Sequence, residues 1–145
     1  RGQVRAYLDG TRPADFDLHA GWWWYSRASD VSRDAPVIFG IDTYDYLVGH
    51  LQSRAGRRGW QDYPMFHTHF EHKRLVLQRL RLLSPAGRED PPLKSYERLV
   101  TEVDRARMQV LRSERQGRPL PHDLVEQFKG FQAAETEILT AWLEQ

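Results

Sequence analysis

The sequence predicts a mainly α fold, a small bundle of three long helices and one shorter helix with an irregular or weakly β N-terminal segment. Three observations lead there. Apolar residues recur at three- and four-residue steps through most of the chain after residue 42. Glycine- and proline-bearing breaks separate those periodic stretches. The first forty residues lack the helical period and carry short β-prone runs instead. With 145 residues, 40% hydrophobic and 28% charged, the chain reads as a single domain over 1–145, divided into an N-terminal segment (1–41) and a helical region (42–145).

In the N-terminal segment, Val37-Ile38-Phe39 follows Pro36, and Trp22-Trp23-Trp24-Tyr25 is a second candidate strand. Strands over 22–27 and 36–41 could pair as a hairpin or lie as extended arms across the helices. Next, Tyr44, Leu47, Val48 and Leu51 stand at i, i+3, i+4 and i+7 and predict the shorter helix, with Asp42 or Thr43 accepting from its first amides. Ala55 to Gly59 ends it. A long helix over 64–83 follows from Phe66, Phe70, Leu77, Leu80 and Leu83, widened by Val76 and Leu82. The proline-rich stretch from Ser84 to Pro92 reads as a linker.

A second long helix, over 93–115, follows from Tyr96, Leu99, Val100, Val103, Ala106, Val110 and Leu111. Gly117 closes it and Pro119 prevents its extension. The third, over 121–143, carries Leu124, Val125, Phe128, Phe131, Ile138, Leu139 and Trp142, with Pro121 at its first position. The short connection between the last two helices predicts antiparallel neighbours. Leu77, Val103 and Phe128, each in the middle of a stripe, are expected in the core.

Several function classes lose support from composition. The chain has no cysteine, which excludes disulfides, thiolate metal sites and a cysteine nucleophile. No stretch approaches the roughly 20 apolar residues of a transmembrane helix, and none reads as a signal peptide. G-x-S-x-G, His-Glu-x-x-His and phosphate-loop signatures are missing, so an enzyme is not the leading reading and no cofactor is expected. Asp42 and Asp45 are accounted for by capping, and Glu135 and Glu137 read as solvated charges.

Three features remain as candidate sites. Trp22, Trp23, Trp24 and Tyr25 cannot all enter one core from a strand, because Trp22 and Trp24 face one side and Trp23 and Tyr25 the other. At least one large ring is expected at the surface, where tryptophan favours partner interfaces; Trp60 joins this group. The second feature is a basic block. The net charge of +1 divides into −2 over residues 1–45, +5 over 46–82 and −2 over 83–145. Arg54, Arg57, Arg58, Lys73, Arg74, Arg79 and Arg81 could meet phosphates, although acidic flanks could equally satisfy them and the spacing of the helices does not fit a helix-turn-helix unit.

The third feature is His67, His69 and His72, three of the six histidines within six residues. On a helix, His69 and His72 share one face while His67 pairs with Glu71 on another, so a metal would need ligands from a second segment. The expectation from these residues is a cytoplasmic, non-enzymatic interaction or accessory module that binds a protein partner through Trp22 to Tyr25 and Trp60. Nucleic-acid binding by the basic block and metal binding by the histidines stand as alternatives.

Overall fold

The computed structural model describes residues 2–10, 40–54, 63–84 and 90–145. Of these, 86% are helical and none is in a strand. The elements are α1 (Gly2–Leu8), a 3-10 turn (Gly40–Asp42), α2 (Thr43–Arg54), α3 (Tyr63–Leu83), α4 (Pro91–Arg115) and α5 (Leu124–Leu143). The mainly α bundle is thus as the periodicity requires. The N-terminal segment differs from the expectation where it is described: Gly2–Leu8 is helical, and Gly40 and Ile41 open a 3-10 turn rather than ending a strand. The proposed pairing of 22–27 with the rest of 36–41 lies outside the described residues.

Local chemistry sets the helix ends. Pro91 and Pro92, read from sequence as linker, occupy the first turn of α4, where a missing N–H costs nothing. Asp90 caps that helix by accepting from the Leu93 amide at 2.9 Å, and its other oxygen accepts from the Ser84 hydroxyl at 2.5 Å. One buried carboxylate therefore ties the end of α3 to the start of α4. After α4, Gly117 takes φ +60°, its N–H bonds the Glu114 carbonyl, and the Arg118 N–H reaches back to Ser113 at 2.8 Å. That left-handed residue closes the helix with little steric cost because it is glycine.

At the start of α2 the Thr43 hydroxyl donates back to the Gly40 carbonyl at 2.8 Å, closing the 3-10 turn. One other end corrects the sequence expectation. Helix α5 starts at Leu124, three residues beyond Pro121, with Asp123 before it accepting from the Gln127 side chain at 2.7 Å.

Helix α4 lies between α3 and α5, and both neighbours run antiparallel to it. The start of α3 meets the end of α4 where Tyr63 N–H bonds Glu114, and its end meets the start of α4 where Arg81 bonds Glu97. Helix α2 packs on α5, with Gln132 donating to Asp45 at 3.1 Å. The apolar interior falls into two groups. One gathers Ile41, Tyr44, Leu47, Val48 and Leu51 with Phe66, Ala106, Val110, Leu124 and Phe128. The other gathers Leu77 and Leu80 with Tyr96, Leu99, Val100, Val103, Leu139 and Trp142. All four stripe residues named for α2 are buried, as are Leu77, Val103 and Phe128. Each such side chain contributes about 1.5–3 kcal/mol by leaving water. Leu82 and Leu83, assigned to the apolar face of α3, are instead exposed at the end of the helix.

Candidate functional site

A charged pair lies inside this apolar frame. Lys73 of α3 and Glu135 of α5 are both fully buried, with Nζ 2.7 Å from Oε2. Three tyrosines from three other helices surround them. Tyr96 of α4 donates to Glu135 Oε1 at 2.5 Å. Tyr7 of α1 donates to the same oxygen at 3.2 Å and accepts from Lys73 Nζ at 2.5 Å. Tyr44 of α2 presents its ring face to the ammonium, 4.4 Å from Nζ to the centroid, an arrangement that favours a cation. All five α-helices among the described residues thus meet at one polar point.

The arrangement accounts for the ionisation of its members. Burial alone pushes the Glu135 carboxyl up, but the ammonium of Lys73 and the hydroxyl of Tyr96 outweigh it and hold the group below the usual carboxylate range. Burial and the adjacent Glu135 charge raise the phenols of Tyr7, Tyr44 and Tyr96, so all three remain protonated and able to donate. His69 sits edge-on to Tyr44, with ring centroids 4.6 Å apart, and burial together with Lys73 keeps its imidazole neutral. The matching is incomplete: among the described residues, the Tyr44 hydroxyl and His69 Nε2 are buried without a hydrogen-bond partner, and Glu135 Oε2 has only its ion pair with Lys73.

The sequence places Lys73 in the basic block and Glu135 among solvated charges; the structure corrects both, because each is withdrawn from water. A signal existed. Lys73 is three residues after Phe70 and four before Leu77, and Glu135 is four after Phe131 and four before Leu139. Opposite charges on two apolar stripes can be buried together only as partners.

The other candidate residues have diverse surroundings. Among the basic residues, Arg74 pairs with Glu71 at 3.1 Å and Arg81 with Glu97 at 2.7 Å, both on the surface, and Arg79 is exposed. Arg54 ends α2, while Arg57, Arg58 and Trp60 lie outside the described residues, as do Trp22, Trp23, Trp24 and Tyr25.

The three histidines do not converge. His67 stacks on Tyr63 and lies 3.0 Å from the Arg107 guanidinium, His69 points into the core, and His72 stacks on Tyr7. Among the described residues, no three histidine or carboxylate side chains are placed to hold a metal ion. No described helix is long and apolar enough to cross a membrane. Compared with protein-family models, curated proteins and solved structures, the chain matches none.

Proposed function

We propose that this chain is a non-enzymatic interaction or accessory module that binds a protein partner. The observation that carries the reading is the apolar surface of α3: Leu75 and Leu82, seven residues apart and so on one side of the helix, are 53% and 85% exposed, and Leu83 beside them is 61% exposed. Large apolar side chains grouped in water favour a protein contact. Three of the four cations of the same helix support a protein partner over a nucleic acid, since Arg74 and Arg81 already face carboxylates of the chain and Lys73 is enclosed, while Arg79 is exposed. Trp22 to Tyr25 and Trp60, outside the described residues, belong to the proposal on sequence grounds alone. A cytoplasmic setting belongs to the proposal, and a chain without cysteine is compatible with it.

A photo-crosslinking residue at position 82, used in nuclease-treated lysate, tests the reading. One discrete protein adduct is expected, insensitive to raising salt and lost in Leu75→Glu while thermal stability is unchanged. If no protein is captured, and the chain instead shifts nucleic acid in a salt-sensitive manner that Arg57→Ala with Arg58→Ala abolishes, the nucleic-acid alternative replaces it.

A further inference from the structure

Helix α1 is seven residues long, too short to persist by itself, and therefore depends on what it docks against. Among the described residues, two sets of contacts seat it. Val4, Tyr7 and Leu8 rest on the apolar group around Leu77 and Trp142, and Tyr7 places its hydroxyl on Lys73 and Glu135 with its ring 5.2 Å from Nζ. At its C-terminal end, α1 meets the 3-10 turn through two glycines that each take φ +63°. A Cβ on Gly40 would run into the Tyr7 carbonyl, and one on Gly10 into the Asp42 carboxylate. The seat is specific, yet covering the ion pair strips water from two full charges, and that cost opposes docking.

We propose that α1 is a strap that opens as a unit, exposing Lys73 and Glu135 to solvent while α2 to α5 remain folded. Undocking gives up the Tyr7 hydrogen bonds, its ring contacts with Lys73 and His72 and the apolar contacts of Val4, Tyr7 and Leu8, and gains hydration of the ion pair. The remaining helices keep their mutual packing, because the buried members of both apolar groups come from Ile41 and α2 to α5, while α1 adds only the partly buried Val4, Tyr7 and Leu8. The strap is a conformational device independent of the leucines of α3 and of the partner reading.

The chain offers a direct probe, since its only lysines are Lys73, Lys94 and Lys129 and the last two are exposed. The full chain is treated with an amine-acetylating ester, and modification is followed by peptide mass spectrometry beside hydrogen exchange. Lys94 and Lys129 are expected to react at once. Lys73 is expected to react slowly but well above the global unfolding rate, and amides of residues 4–10 should exchange at least roughly 100-fold faster than those of residues 99–110. Tyr7→Phe removes the hydroxyl from a charged network and should accelerate Lys73 modification about tenfold or more. Gly40→Val, which acts through the backbone seat, should do the same with protection of residues 99–110 unchanged. Lys73 modification at the global unfolding rate in all three proteins would overturn the strap. So would a Gly40→Val chain in which residues 4–10 and 99–110 lose protection together.

Discussion

Lys73 and Arg74 are consecutive cations on one helix, and they end in opposite environments. Lys73 is fully buried 2.7 Å from Glu135, whereas the Arg74 side chain is half exposed beside Glu71. A single residue step turns a helix by about 100°, enough to carry one charge into the core and leave the next in water. The energetics differ accordingly. A surface pair is screened and contributes little, while a buried pair is costly to form and more costly to break on one side only. The same comparison holds across the α3–α4 surface, where Arg81, about two turns along α3 from Lys73, meets Glu97 in solvent.

The largest expected effect is a half-broken buried pair. Glu135→Ala leaves the Lys73 ammonium without its counter-ion and should destabilise the chain by about 3–5 kcal/mol in urea unfolding. Lys73→Met combined with Glu135→Leu should recover most of that loss, because no uncompensated charge remains. If the double variant is as unstable as Glu135→Ala alone, the tyrosine hydroxyls that converge on the carboxylate, rather than the unpaired ammonium, set the cost.

One turn further along α3, Leu77 supplies the apolar counterpart. Leu77→Ala should cost roughly 2–5 kcal/mol through lost burial and a cavity. It should leave the pH dependence of stability unaltered, which separates it from any change at the polar point.

The sequence and structure agree best where periodicity and packing coincide. Tyr44, Leu47, Val48 and Leu51 repeat with helical spacing, and all four are buried. Helix ends governed by glycine were legible too, as Gly117 shows. Proline was less so: Pro91 and Pro92 suit a linker and a first helical turn equally, and the Asp90 cap decides between them. Helix α1 was not legible because seven residues give too few turns to display a period. The polar point was hidden for a different reason. Its five helices bring together residues as far apart as Tyr7 and Glu135, and a charged residue on a stripe identifies its partner only once the helices are docked.

The buried histidine gives the comparison a pH axis. Tyr44 and Phe128 pack against His69 from α2 and α5, Lys73 and His72 share its own helix, and burial followed by the Lys73 charge depresses its pKa. The unfolded imidazole takes up a proton near 6.5, which the folded one refuses. Its contribution is therefore complete above that pH and is lost on acidification, by up to about 1.4 kcal/mol for each unit below it. Glu135, whose pKa is also depressed, adds its own loss only below about 4.5. Melting temperature measured from pH 7 to 5 should fall in the parent chain and fall less steeply in His69→Gln. Equal slopes would remove His69 from the acid response.

A smaller effect is expected at the loop joining α3 to α4. Asp90→Ala removes the cap from Leu93 and the tie to Ser84 together, and should cost about 1 kcal/mol, with Asp90→Asn retaining part of it. Hydrogen exchange at residues 93–95 should rise in Asp90→Ala before that of residues 99–103 does.

The smallest effect belongs to the surface pair that mirrors the buried one. Arg81 donates through Nε and Nη2 to a single oxygen of Glu97, at 3.1 and 2.7 Å, so it does not form the fork in which each carboxylate oxygen takes its own hydrogen bond. Both side chains are about half exposed, at 54% and 42%, and water competes for every donor. A double-mutant cycle with Arg81→Ala and Glu97→Ala should therefore return a coupling of only about 0.2–1 kcal/mol, shrinking further in high salt. The corresponding cycle on Lys73 and Glu135 should return several times as much, largely independent of salt, because ions cannot reach between the partners. Equal couplings would mean that water enters the Lys73–Glu135 site in solution, as frequent opening of α1 would allow, and faster acetylation of Lys73 would then accompany them.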